Sequence, residues 1–155
     1  MFATALLPYA ESDIDLNRVI QMLLVHDVGE IDAGDRIAFA EGGWEELKAA
    51  ELASVERIFG ILPGAQGATY LELWLEFERS ETPEARFANS VDRAMPVLLN
   101  LANNGQSWRE NGISYERVVK RIEAQINDGC PSLWRYLAVC LERERQLGWF
   151  GIESH

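Results

Sequence analysis

The sequence predicts an all-α protein, with residues 1–155 folded as a single-domain bundle of about six helices. Apolar residues recur at spacings of three and four, which is the pattern of a helix with one buried face. Capping residues precede several of these stretches, and short breaks that contain Pro or Gly separate them. A chain of 155 residues is long enough to bury one well-formed core.

The first three predicted helices fall in the first half of the chain. The first follows Asp13 or Asp15 and ends near Gly29. Its predicted inward residues are Leu16, Val19, Ile20, Leu23 and Leu24. The second runs from about residue 44 to residue 59, and its charged face is interpreted as solvated. The third runs from 68 to about 79 and is apolar on more than one face, so we expect part of it to be covered by a partner chain.

The other three predicted helices have recognisable starts. The fourth begins at Thr82-Pro83-Glu84 and runs to about Asn100, because Thr suits the cap and Pro the first helical position. Its predicted buried stripe is Phe87, Val91, Ala94, Met95 and Leu98. Ser114 opens the fifth helix and Ser132 the sixth. The predicted apolar residues of the sixth are Leu133, Leu137, Val139, Cys140, Leu141 and Leu147.

Composition excludes several classes of partner. The 14 Lys and Arg against 25 Asp and Glu give a net charge of -11, which opposes binding to nucleic acids and to anionic membrane surfaces. Cys130 and Cys140 have neither the spacing of a zinc site nor the number expected of a disulfide framework, so we expect free thiols in a reducing cytoplasm. The apolar runs fall short of the ~20 residues that a membrane span needs.

Ionisable side chains gather at the end of the first helix, with His26 and Asp27 in its last turn. His26 and Asp27 follow an apolar run, and Gly29 offers the left-handed conformation that commonly ends a helix. Glu30 and Asp35 lie in the short segment beyond it. Because the carbonyls at a helix end favour a cation, this cluster indicates a divalent-metal site.

Asp92 adds a later carboxylate, since it lies beside the buried stripe of the fourth helix and needs a partner there. One imidazole with carboxylates suits Mn, Co, Zn or Fe better than Ca. Each residue can also be explained without a functional role. In that interpretation His26 is a partner of the helix dipole or a core residue, and Glu30 and Asp35 are loop anions facing water. Asp92 then pairs with Arg93 or another basic group.

The segment HDVGEIDAGD, followed more than fifty residues later by NSVDRA, resembles the HD-domain metal-dependent phosphohydrolases, in particular HDDC2-like 5′-deoxynucleotidases. The resemblance extends from residue 1 to about residue 125 and implies a helical bundle of the HD-domain type. It implies that a first histidine, His26, Asp27 and Asp92 hold a metal and that Glu30 and Asp35 are placed for catalysis. On chemical grounds, Glu30 is the candidate for orienting the attacking water and Asp35 for protonating or steering the leaving group. The implied substrate is a small phosphomonoester such as a nucleoside monophosphate.

The chain departs from this family pattern in one respect. The family's first metal-binding histidine and its phosphate-holding residues would precede residue 1, and the chain contains only His26 and His155. We therefore expect an incomplete N-terminal helix and keep two hypotheses. One is a homodimeric 5′-nucleotidase, and the other is a shortened HD-domain scaffold that is weakly active or inactive. Two-metal HD enzymes are excluded, because they need several more histidines.

Overall fold

The computed structural model of the chain describes residues 1–34 and 43–151, and every regular element in these ranges is helical. The α-helices are α1 Phe2–Leu6, α2 Leu16–Val25, α3 Glu30–Ala33, α4 Trp44–Phe59, α5 Gln66–Arg79, α6 Pro83–Ala102, α7 Gln106–Glu110, α8 Tyr115–Gly129 and α9 Pro131–Gln146. Two 3₁₀ turns, Leu7–Tyr9 and His26–Gly29, follow α1 and α2.

The predicted all-α class is confirmed, but the described ranges hold more helices than the predicted six or so. The additional ones are α1, α3 and α7, which have five, four and five residues. A helix of one turn is too short to show a period of 3.6 residues, so the sequence pattern did not reveal them. None of the described helices is long and apolar enough to cross a membrane.

The long helix α6 forms the centre of the bundle. It packs against α2 and α5 and also against α8, and its residues from Phe87 to Val91 are buried without interruption. Phe87 and Ala88 are both 0% exposed. Helix α4 packs instead on α5, on α3 and on the 3₁₀ turn His26–Gly29. The turn that carries His26 and Asp27 therefore lies between α4 and α5.

Three predicted helix caps are confirmed. The Asp15 carboxylate accepts from the backbone N–H of Asn17 at 2.9 Å, the Thr82 hydroxyl oxygen from that of Ala85 at 3.1 Å, and the Ser114 hydroxyl oxygen from that of Arg117 at 3.3 Å. The prediction that Ser132 opens the last helix was wrong by one position. Helix α9 begins at Pro131, whose missing N–H costs nothing at the first helical position.

Several predicted inward residues are exposed instead. They are Ile20 at 38%, Leu24 at 76% and Met95 at 38%, and two of the apolar residues expected in the last helix, Val139 at 72% and Leu147 at 61%, are exposed as well. In α2 the buried residues are Val19, Met22 and Val25. Apolar side chains surround most of this helix, so periodicity alone cannot select the inward face. The positions of α5 and α6 determine which face of α2 is buried. Leu147 is exposed because it lies beyond the last residue of α9.

The apolar surface of α5 is covered largely within the chain. Leu73, Trp74 and Phe77 are at most 5% exposed, and α5 packs against α2, α4 and α6. The excess of apolar residues on this helix is therefore explained by three neighbouring helices. It gives no support to the predicted homodimer, which stays a prediction.

The 3₁₀ turn His26–Gly29 differs from the predicted helix end. Gly29 has a φ of -59°, so the expected left-handed conformation was wrong, and the glycine of this segment that has a positive φ, 84°, is Gly34. Gly29 serves close packing instead. A Cβ added there would lie 3.0 Å from the Cβ of Glu51 and 3.2 Å from its carbonyl oxygen. The turn can therefore lie directly against α4.

Helix α5 fixes the other side of this turn. The indole Nε1–H of the buried Trp74 donates a hydrogen bond of 2.9 Å to the backbone carbonyl of His26. The imidazole ring of His26 contacts the ring of Phe77, with a centroid distance of 5.0 Å. The backbone and the ring of His26 are thus both held by one face of α5.

The buried carboxylate of Glu76 connects helices α2, α5 and α6 through hydrogen bonds. The guanidinium of Arg18 on α2 donates to both carboxylate oxygens of Glu76 on α5, with Nε 3.1 Å from Oε1. The hydroxyl of Thr82, the cap of α6, donates to Oε1 at 2.7 Å. Burial raises the pKa of Glu76, but the hydrogen bonds from Arg18 and Thr82 outweigh it, so the pKa lies below its ordinary value.

Replacing Trp74 by Phe should destabilise the chain by about 1–3 kcal/mol, because the His26 carbonyl loses its donor. It should also shift the NMR resonances of the His26 ring. Urea unfolding and a histidine-selective NMR spectrum measure the two effects. Trp134→Phe, a partly buried tryptophan on α9, is the control and should leave the His26 signal in place. An unchanged spectrum in Trp74→Phe would contradict this role.

Replacing Glu76 by Gln should cost about 1–3 kcal/mol of stability at neutral pH, since a charged hydrogen-bond acceptor is lost. Because the pKa of Glu76 is lower in the folded chain, its contribution is present above the ordinary glutamate pKa. It is lost as the pH falls through the folded-state value. Urea unfolding of variant and parent should therefore converge in acid. The exposed Glu72→Gln on the same helix should change stability by less than about 0.5 kcal/mol at any pH.

Candidate metal centre

The three predicted metal ligands meet at one nitrogen of His26. Nδ1 lies 2.9 Å from the backbone carbonyl of Leu23, and since a carbonyl only accepts, Nδ1 carries the hydrogen. Nε2 faces two carboxylates, with Asp27 Oδ1 at 2.9 Å and Asp92 Oδ1 at 3.2 Å. The turn after α2 and the middle of α6 thus bring together residues that are far apart in the sequence.

The electrostatics of this centre favour a positive charge at Nε2. Burial lowers the pKa of His26, but the hydrogen bond with Asp92 and the negative charges of Asp27 and Asp92 outweigh burial, so the pKa lies above its ordinary value. In a neutral ring with the hydrogen on Nδ1, a lone pair on Nε2 would face lone pairs of both carboxylates. Either a proton or a bound cation removes that repulsion.

The donor set fits a divalent transition metal. One imidazole nitrogen and two carboxylate oxygens are hard to intermediate ligands of the kind that Mn, Co, Zn and Fe accept. Ligands about 2.1 Å from an ion and at right angles to one another are separated by about 3.0 Å. The two distances from Nε2, 2.9 and 3.2 Å, agree with that spacing.

The fit concerns the type and pairwise spacing of the donors rather than a complete cluster. Across residues 1–34 and 43–151, no group of three His, Cys, Asp or Glu side chains forms a ready ion-binding arrangement. The two contacts of Nε2 are therefore pairwise, and His26 is the residue that they share.

The two predicted catalytic carboxylates are placed differently. Glu30 is the first residue of α3 and is partly buried, directly after the turn that carries His26 and Asp27. Asp35 lies outside the described residues. The catalytic roles of both residues stay predictions, while His26, Asp27 and Asp92 are in contact.

A further carboxylate near this centre was not predicted. Burial raises the pKa of Glu51 on α4, the charges of Glu78 and Asp27 raise it further, and Lys48 opposes them. Glu51 lies on the charged face of α4, which the sequence analysis interpreted as solvated. Nothing in the local pattern separates it from the other acidic residues of that helix. Its proximity to Asp27 adds negative potential, which favours a cation at the centre.

A proline inside α6 was also missed. Pro96 lies one turn beyond Asp92 and has no N–H, so it cannot donate the usual helical hydrogen bond to the Asp92 carbonyl. The second carboxylate oxygen of Asp92 is 4.0 Å from Nε of Arg93, which is too long for a hydrogen bond. The nearer partner of Asp92 is His26. A proline in a helix interior is a signal that sequence reasoning could have used.

Comparisons with known proteins agree with this architecture. The sequence model described as "HD domain" matches residues 1–134. A relative named 5′-deoxynucleotidase HDDC2 from Xenopus laevis is 31% identical over 100 residues, which are 63% of this chain and 50% of that protein. The protein of the same name from Dictyostelium discoideum is 28% identical over 135 residues, covering 86% of this chain and 70% of the relative. The chain thus spans about half the length of the Xenopus relative.

A solved structure gives the same result for the fold. It is the crystal structure of a predicted metal-dependent phosphohydrolase from Magnetospirillum magnetotacticum MS-1. The two chains superpose with a TM-score of 0.89 at 35% sequence identity, over 96% of this chain and 74% of that one. In this family a divalent metal is implied. Since the family model spans residues 1–134 and the fold is shared, the chain belongs to the HD domain family.

Proposed function

We propose that the protein is a metal-dependent phosphohydrolase that removes phosphate from (deoxy)nucleoside 5′-monophosphates. The observation that carries this proposal is the approach of Asp27 and Asp92 to Nε2 of His26 at 2.9 and 3.2 Å. The names of the relatives from Xenopus and Dictyostelium supply the substrate class. The likeness to a predicted metal-dependent phosphohydrolase supports the reaction type.

His26, Asp27 and Asp92 are the residues that would hold the metal, with Mn, Co, Zn or Fe as candidates. Such an ion, when bound, acidifies water and polarises a phosphoryl oxygen. The neutral imidazole of His26 would bind the metal through Nε2, because Nδ1 carries the hydrogen that it donates to the Leu23 carbonyl. The contacts with Trp74 and Phe77 hold the imidazole in the orientation that this role requires.

Glu30 is proposed to orient the attacking water and to accept its proton, as a general base does. Its position at the start of α3 places it one turn beyond His26 along the chain, which supports the assignment. Asp35 is proposed to protonate or steer the leaving alkoxide, an assignment that rests on the sequence resemblance. Together the two carboxylates would divide the proton transfers of a hydrolysis between them.

The acidic character of the chain favours a small substrate over a nucleic-acid strand. A net charge of -11 repels a polyanion, whereas the charge of a monoester can be offset by one ion and a few basic groups. A cytoplasmic location and a homodimer belong to the same proposal. The free state of Cys130 and Cys140 is consistent with a reducing compartment.

Substitutions at the centre should separate metal binding from chemistry. His26→Ala and Asp92→Ala should weaken Mn²⁺ binding and abolish phosphate release, because each removes a ligand. Glu30→Ala should retain the metal but lose about 10²–10⁴-fold in turnover. Calorimetric titration with Mn²⁺ and a phosphate-release assay on nucleoside monophosphates measure the two properties.

Glu45→Ala, an exposed glutamate in the first turn of α4, is the matched control and should behave as the parent does. If His26→Ala and Asp92→Ala bind metal as well as the parent, the assigned site is wrong. If the metal-loaded chain and any longer form of the protein leave all nucleoside monophosphates intact, the alternative of an HD-domain scaffold takes the place of the nucleotidase.

The assembly state is tested separately. Light scattering on the purified chain should give twice the monomer mass of 17.5 kDa, with the dimer dissociating on dilution. A constant monomer mass across all concentrations would contradict the proposed homodimer, without bearing on the catalytic assignment.

A further inference from the structure

A cavity of about 310 Å³ opens beside Asp92. It lies between α6, α7 and α8, and its size is at the lower end of the range of small-molecule sites. Its apolar wall is formed by buried side chains, namely Val97, Trp108, Val118 and Ile122. An apolar wall with a few polar groups is the usual composition of a ligand site.

Two guanidinium groups line this cavity, one from Arg93 on α6 and one from Arg121 on α8. Burial lowers the pKa of Arg121, as does the charge of Arg93, while Asp92 opposes them. Arginine nevertheless stays protonated in proteins, so two like charges face one cavity. Arg121 also lies over the ring of Trp44, 5.6 Å from its centroid, which holds the guanidinium in place.

Three polar atoms at this cavity are buried and have no hydrogen-bond partner in the described residues. They are Nε of Arg93, Nε of Arg121 and Oδ1 of Asn100. The amide nitrogen of Asn100 already donates to the Pro96 carbonyl at 3.1 Å, so its oxygen remains as an acceptor. Leaving such groups unpaired is costly, and native proteins rarely do so without a ligand or water.

The unpaired atoms define the chemistry of the missing partner. Two charged donors call for anionic oxygens, and one acceptor calls for a hydroxyl on the same molecule. A phosphate group in its singly protonated form, or a phosphate ester with a neighbouring hydroxyl, offers both. The local charge points the same way, because two guanidinium groups and the one carboxylate of Asp92 line the cavity and leave one positive charge that an anion would neutralise.

We propose that this cavity binds the oxyanion of a small phosphate compound, with Arg93 and Arg121 donating to it and Asn100 accepting from a ligand hydroxyl. The identity of the compound as a phosphomonoester substrate rests on the proposed function. Free inorganic phosphate shares the same chemistry. The cavity includes Asp92 in its lining, so a phosphate bound there lies next to the candidate metal centre.

The test is calorimetric titration of the full chain with inorganic phosphate, in chelator and again with Mn²⁺. Arg121→Met should weaken phosphate binding by at least about tenfold, the usual effect of losing a charge-assisted hydrogen bond. Arg121→Lys should restore part of the affinity. Lys120→Met is the matched control, since it removes an exposed cation from the adjacent position of α8, and it should change the Kd by less than about twofold.

Asn100→Asp provides a second variant, because it puts a negative charge into the cavity and should also weaken phosphate binding. Circular dichroism and thermal unfolding check that each variant is folded. If Arg121→Met does not fold, the phosphate affinities of Arg121→Lys and Asn100→Asp test the proposal instead. The proposal is overturned if the parent does not bind phosphate under either condition, or if the folded cavity variants bind it as well as Lys120→Met does.

Parallel titrations with a nucleoside 5′-monophosphate and with the unphosphorylated nucleoside identify the source of the oxyanion. Tighter binding of the monophosphate than of inorganic phosphate supports an ester ligand, and equal binding supports free phosphate. Binding of the nucleoside as tightly as the monophosphate would overturn the proposal. Because titration in chelator does not depend on turnover, a catalytically silent protein that binds phosphate through Arg121 would refute the proposed function alone.

Discussion

The position of the His26 imidazole is the constraint on which the rest of the candidate site depends. Its Nδ1 is anchored to the helix that precedes it, through the Leu23 carbonyl, and its Nε2 meets Asp92 on a helix 66 residues later. A ring held at both nitrogens has little rotational freedom. The packing around the ring also restricts its movement, since Trp74 donates a hydrogen bond to the backbone of His26 and Phe77 contacts the ring.

The central helix α6 brings acidic and basic groups close together. Asp92 belongs to a group of carboxylates that includes Asp27, and Glu51 lies close enough to be affected by the charge of Asp27. Asp92 also lines the cavity of Arg93 and Arg121, whose Nε atoms have no hydrogen-bond partner among the described residues. A bound cation next to basic side chains would suit a phosphate ester, because its oxygens must be neutralised from more than one direction.

The local features of the fold were largely predictable. Asp15, Thr82 and Ser114 cap helices because their side-chain oxygens accept from backbone N–H groups a few residues away, which depends only on neighbouring sequence. The inward faces of the helices were less predictable. Leu24 is exposed and Met22 is buried although both are apolar, because the positions of α5 and α6 decide which side of α2 is covered. The short helices α1, α3 and α7 left no periodic signal.

By itself, the sequence determined the helical class, the main helices, the family resemblance and the residue types of the candidate metal centre, because periodicity, caps and motifs are local properties. Only the tertiary structure decided that Asp92 reaches His26, that Trp74 supports it, and that Glu51 lies near Asp27. It also decided that Arg93, Asn100 and Arg121 share one cavity. These contacts join elements distant in sequence, and their formation depends on how the helices pack against one another, which no local pattern encodes.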